Sequence, residues 1–137
     1  MAGENALPIQ ECPDLICSYI TKSWGTSDNT LEDRIMFYCE RDTIVDSFHA
    51  GCNQADTGAA VVLSAAPVAD DNSITFGSAV AISSSVSIAT GDTLNAGTMT
   101  ETANLVPAGY IIYIDATNLD DANADIHVQM RIRTRVR

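Results

Sequence analysis

The last thirteen residues of the chain alternate between polar and apolar side chains almost without exception. Polar residues occupy the odd positions from Asp125 to Arg137, and apolar residues occupy the even positions from Ile126 to Val136. Successive side chains of a β-strand point to opposite faces, with a period of two. The pattern therefore predicts a strand over 125–137 with one buried face and one charged face.

Four arginines share the charged face of this strand: Arg131, Arg133, Arg135 and Arg137. They are four of seven basic residues in a chain whose formal net charge is -11, and like charges on one sheet face repel each other. The row therefore needs carboxylates beside it, and two arrangements can supply them. In the first, Arg131, Arg133 and Arg135 pair with Asp or Glu on adjacent strands of the same sheet.

In the second arrangement, the carboxylates belong to a neighbouring chain. Thirteen extended residues span about 40 Å, roughly twice the length of a usual strand. We therefore expect the strand to run past its own domain, so that Arg133, Arg135 and Arg137 bind a partner. This arrangement predicts a protein that works by being held in an assembly.

The residues from 34 onward predict an all-β domain. Short runs rich in β-branched residues alternate with turns about every ten residues, which favours an antiparallel β-sandwich or jelly roll over 34–137. The predicted strands cover 35–40, 43–50, 59–65, 74–88, 94–101, 110–114 and 125–137. In the 74–88 strand, which we expect to bend or split at Gly77 or at Ser83 to Ser85, one face carries Ile74, Phe76, Val80, Ile82, Val86 and Ile88.

Residues 1–33 have a different composition, with the only Trp and the only Lys of the chain. Leu15, Ile16, Tyr19 and Ile20 are spaced as on a helix, but two turns of helix are marginal alone. The segment is therefore predicted to be an N-terminal arm, either extended or a short helix. We expect Leu15, Tyr19 and Trp24 to contact another subunit rather than complete the core.

The acidic charge balance disfavours nucleic-acid binding, which requires basic groups opposite phosphates. No apolar run approaches the about 20 residues needed to cross a bilayer, and the first ten residues do not resemble a signal peptide. The spacing of Cys12, Cys17, Cys39 and Cys52 fits no zinc site, so we expect reduced, metal-free thiols; a Cys39–Cys52 bridge remains open. No catalytic motif is present, and the sequence predicts neither an enzyme nor a cofactor.

Three segments and the closing basic strand carry a resemblance to a known class of proteins. The segments are Arg41 to Val45, Thr57 to Leu63 and Asn104 to Ile114, and the likeness extends over about residues 35–137. They resemble small structural proteins of tailed bacteriophages, namely capsid decoration (cement) proteins, or neck and fibre proteins.

The resemblance implies a virion protein with no catalytic residues, present in repeated copies. It implies a homo-oligomer, with a trimer favoured, that is clamped on the major capsid protein or other virion subunits and assembled in a reducing bacterial cytoplasm. The alternative is a neck, tail or fibre component, or a glycan- or receptor-binding sandwich. A glycan site would need exposed aromatic side chains clustered at one end of the sandwich.

Overall fold

The computed structural model describes residues 15–25, 34–52, 59–88, 93–117 and 125–135. Ten strands form two antiparallel sheets. The strands are β1 (Leu15–Gly25), β2 (Arg34–Tyr38), β3 (Thr43–Cys52), β4 (Ala60–Pro67), β5 (Val80–Ala81), β6 (Val86–Ser87), β7 (Thr93–Gly97), β8 (Leu105–Val106), β9 (Tyr110–Thr117) and β10 (Asp125–Arg135). A single turn of 3-10 helix, Phe76–Ser78, precedes β5.

The strand order is that of a jelly roll. The first sheet runs β1-β10-β3-β7, with β8 also paired to β3, and the second runs β2-β9-β4-β5, with β6 also paired to β4. The chain crosses repeatedly between the sheets, and its first and last strands are neighbours. This interleaved order is typical of double-sheet jelly rolls. The predicted all-β sandwich is confirmed.

The core lies between the two sheets and is built from small and β-branched side chains. Its largest fully buried members include Phe48 on β3, Leu63 on β4, Ile112 on β9 and Met130 on β10. Along β10, Ile126, Val128, Met130 and Ile132 are buried, whereas the residues between them are half-buried on the outer face. The alternation that predicts a one-sided strand is confirmed over 126–132.

The length argument predicts that the last strand runs past its own domain. Over residues 125–135, β10 does not do so. Its eleven residues pair with β1 along their whole length, and residues 126–134 pair with β3 on the other side. The expectation of an overhang is wrong for these residues because two other strands match β10 in length.

Residues 15–25, which we assigned to the N-terminal arm, are extended, so the helical alternative is wrong for them. Helical spacing is overridden by pairing with β10, which places Ser18 and Ile20 opposite Ile132 and Met130. Ile20 packs against the core, and Tyr19 lies on the outer face. These residues are therefore the edge strand of the first sheet; residues 1–14 and 26–33 lie outside the described ranges.

The segment 74–88 splits, as expected, but its apolar residues do not share one face. Ile82, Val86 and Ile88 are in the core, whereas Ile74 packs on the outside of the second sheet and Val80 is exposed. The physical reason is the 3-10 turn at Phe76–Ser78, which interrupts the period of two before β5.

Cys39 and Cys52 are not joined by a disulfide bond. Cys39 hydrogen-bonds with Thr43 at the first residue of β3, and Cys52 is the last residue of the same strand. Ten extended residues separate these ends by about 30 Å, far beyond disulfide distance. Cys52 instead donates its thiol proton to the Ile88 carbonyl at 2.8 Å.

Candidate interaction surface

The outer face of the first sheet carries the charged residues of β10. Arg133 donates two hydrogen bonds to Asp46 on β3, from Nε to Oδ2 at 2.8 Å and from Nη2 to Oδ1 at 2.9 Å. This is the bidentate geometry in which a planar guanidinium matches a carboxylate. For Arg133, the arrangement with a carboxylate from its own sheet is therefore the one observed.

A β-bulge makes this ion pair possible. Arg131 pairs with Ser47 and the next residue, Ile132, pairs with Val45, so Asp46 is an extra residue on β3. Two residues, Asp46 and Ser47, consequently lie between the inward-pointing Val45 and Phe48. In a regular strand one of the two would face the core. The bulge places the Asp46 carboxylate beside the arginines on the outer face.

Arg131 contacts the same carboxylate less closely. Its Nε lies 4.0 Å from Asp46 Oδ2, and its Nη2 donates a weak hydrogen bond to Cys17 Sγ on β1 at 3.9 Å. The Cys17 contact, followed by the neighbouring Tyr19, raises the pKa of the Arg131 guanidinium above its ordinary value. Two guanidinium groups thus share one carboxylate, which leaves this trio with one net positive charge.

We call Arg131, Arg133 and Asp46, with Cys17 and Tyr19 of β1, the arginine strip. Tyr19 is the cross-strand partner of Arg131, and 65% of its surface is exposed. The structure therefore brings Arg131, Arg133 and Tyr19 together on one face. Arg135 pairs with Leu15 at the end of the same ladder, and Trp24 pairs with Ile126 at the other end.

The side chains of Leu15, Trp24 and Arg135 lie outside the described part of the chain, as does Arg137 entirely. The sequence analysis missed Asp46. The signal that could have found it is the spacing of Val45 and Phe48, because two polar residues between inward positions break the period of two and indicate a bulge.

The outer face of the second sheet differs in character. Residues 68–79 fold over it, so that Ala66, Ile111 and Tyr113 form a small buried cluster with Ile74 packed against them. The Phe76 and Tyr113 rings meet edge to face, with centroids 5.1 Å apart. This cover explains why β9 is apolar on both faces.

The exposed aromatic side chains of the described residues do not form one group, because they are divided between the two sheets. Tyr19 lies on the outer face of the first sheet, whereas Tyr38 and Phe76 lie on the second. Within the described ranges, no three His, Cys, Asp or Glu side chains are grouped so as to hold a metal ion. None of the helical structure described has the length and hydrophobicity to cross a lipid bilayer.

No family model matches the sequence, and no curated protein is similar to it. Among solved structures, a chain of the cyanophage Pam1 capsid asymmetric unit is similar in fold, with a TM-score of 0.53 and 15% sequence identity. The similarity covers 88% of this chain and 85% of that one, so the two chains are close in length. A chain of infectious bursal disease virus, Gx strain, matches with a TM-score of 0.44 and 8% identity, over 88% of this chain and 32% of that one.

Proposed function

We propose that the chain is a structural protein of a virion, which binds capsid subunits and bridges them as a decoration or cement protein. The observation that carries this proposal is the fold match to a chain of a capsid asymmetric unit over most of both lengths. Double-sheet jelly rolls are a recurrent architecture of viral capsid domains.

The arginine strip supports a protein partner with an acidic surface. Arg and Tyr are enriched where protein interfaces gain most of their binding energy; Tyr19 is exposed, and its cross-strand neighbour Arg131 is half-buried. Arg131 is incompletely neutralised by Asp46, so it can meet a carboxylate of a capsid subunit. Arg135, Arg137, Leu15 and Trp24 complete the proposed partner-binding set.

The proposal includes a location and excludes catalysis. The protein is a subunit of the virion, assembled in the host cytoplasm, and it is neither an enzyme nor a nucleic-acid binder. Burial raises the pKa of the Cys39 thiol to about 11, and the Cys52 thiol is buried and hydrogen-bonded. Such thiols act as small apolar groups in a reducing compartment.

The test is binding to capsids assembled from the major capsid protein of the same genome. The wild-type chain should co-sediment with them in low salt and dissociate as salt rises, since charge pairs at a surface are screened. The double variant Arg131→Ser/Arg135→Ser should bind about tenfold or more weakly. It leaves the Arg133–Asp46 pair intact.

A charge-matched control is Lys22→Ser/Arg41→Ser, which removes two exposed basic residues outside the arginine strip. It should bind like the wild type. If both double variants lost capsid binding equally, the loss would follow from net charge, and the arginine strip would not be part of the interface. Binding to tails or fibres instead of capsids would assign the chain to the neck, tail or fibre.

A further inference from the structure

An apolar cavity of about 200 Å³ opens between the sheets where β5 and β8 form their edges. Its walls include Ile82, Val106 and Tyr110, and its rim carries Val80 and Leu105. These two rim side chains are 52% and 57% exposed. Since a dry cavity of about 150 Å³ holds a benzene molecule, this one has room for a single aromatic side chain.

Two acidic residues adjoin the lining of this cavity, one in sequence and one through a hydrogen bond. Glu101 is exposed and directly precedes Thr102, which lines the wall. Asp42 is also exposed, and its Oδ1 accepts a hydrogen bond from the Ala108 amide at 3.1 Å, next to Pro107 in the wall. An aromatic group that enters the cavity therefore fits best if it is accompanied by a positive charge.

The opposite edge of the first sheet presents such a pair. Tyr19 lies on the edge strand β1, 65% exposed, and Arg131 is its cross-strand neighbour. β8 lies on the far side of β3, so β10 and β3 stand between Tyr19 and the cavity rim. Three strand spacings amount to about 14 Å. The two features therefore cannot meet within one copy of the chain.

We propose that two copies of this chain associate head to tail, with Tyr19 of one copy seated in the cavity of the next. In this arrangement Arg131 lies near Glu101 and Asp42 of the neighbour, and Val80 and Leu105 become covered. The contact joins two different surfaces, so repetition generates a ring when the rotation closes. The inference concerns the free protein; because it uses Tyr19 and Arg131, which are also proposed to contact capsid subunits, one copy cannot make both contacts at once.

The test is the sedimentation of the full chain over a concentration series, without capsids. The wild type should self-associate, and both Tyr19→Ala and Leu105→Asp should weaken association about tenfold or more. Both positions are exposed, so folding should survive, as circular dichroism can check. Tyr38→Ala is the matched control, because Tyr38 is a half-exposed tyrosine on the other sheet.

Mixing the two variants provides the decisive measurement. Tyr19→Ala retains the cavity and Leu105→Asp retains the tyrosine, so the mixture should form a one-to-one heterodimer although neither variant self-associates. A charge exchange, Arg131→Glu with Glu101→Arg, should restore association that each single change weakens. A wild type that stays monomeric throughout, or a Tyr19→Ala variant that associates normally, would overturn the inference.

Capsid binding and self-association are thus measured separately. If capsids bind the wild type while the free protein remains monomeric, the head-to-tail contact is wrong and the virion role stands. If the free protein associates through Tyr19 but binds no capsid, the head-to-tail contact stands and the virion role is wrong.

Discussion

The outer faces of the two sheets are built on opposite principles. The first sheet has a polar outer face on which Arg133 and Asp46 form a bidentate pair, and its strand β10 alternates between buried and half-buried residues. The second sheet has an apolar outer face that residues 68–79 cover, so its strand β9 is buried on both sides. A strand with one solvent-exposed face alternates between apolar and polar residues, whereas a strand buried on both faces is apolar throughout and shows no alternation.

The largest expected effect comes from substituting two adjacent residues of β9 that face opposite sides of the second sheet. Ile112 lies in the main core, and Ile111 lies in the covered outer cluster. Both Ile→Ala substitutions should lower the free energy of unfolding by about 2–4 kcal/mol, because each removes buried apolar volume. Denaturant unfolding measures this.

The control for this pair is Gln129→Ala on the outer face of the first sheet, which should change stability by no more than about 0.5 kcal/mol. Should Ile111→Ala cost as little as Gln129→Ala, residues 68–79 do not form a second packed layer.

Thiol reactivity sharpens the contrast between the wet face and the interior. Cys17 lies half-buried on the outer face of the first sheet, whereas Cys39 is buried and its pKa is raised to about 11 from 9.0. At pH 8 a rise of this size alone lowers the thiolate fraction about 100-fold. In the native protein Cys39 should therefore react with a thiol reagent at least about 100-fold more slowly than it does in the denatured chain, where its pKa is ordinary.

Peptide mapping after labelling assigns each reaction rate to its cysteine, and the half-buried Cys17 should be labelled before the buried Cys39. Titration of the denatured chain without reductant should find four thiols. Fewer would mean that a disulfide or modification is present, and rapid labelling of Cys39 would place it at the surface.

The smallest effect belongs to the ion pair. Arg133 and Asp46 are partly exposed, so water screens their attraction, and Asp46→Ala should cost only about 0.5–1 kcal/mol. The cost should shrink in high salt. Asp70→Ala removes the same charge from an exposed turn and is the control. A loss well above the predicted range would indicate that the bulge itself depends on Asp46.

The sequence predicted the sandwich well because alternation reports burial directly. β10, β3 and β9 are recognised from their periodicity or their apolar runs, since each is decided by the core it faces. Two features escaped. β1 carries helical spacing, and only its pairing with β10 makes it a strand. The 3-10 turn at Phe76–Ser78 changes which face the following residues point to, and the local sequence does not predict this turn.

The candidate surface was predicted in part. The arginine row was evident from its spacing, but the partner of Arg133 depended on a bulge that moves one residue between faces. The cavity could not be predicted, because Val80 is distant in sequence from Leu105 and Tyr110 and only the strand order brings them together.

Lys22, the only lysine, has a consequence for solubility at high copy number. It sits on the edge strand β1 opposite the buried Val128, in the row that faces the core, and its side chain is exposed at the edge of the sheet. A foreign strand that extended the sheet at this edge would have to cover that ammonium group, which is costly. Edge-to-edge pairing of strands at β1 is therefore disfavoured.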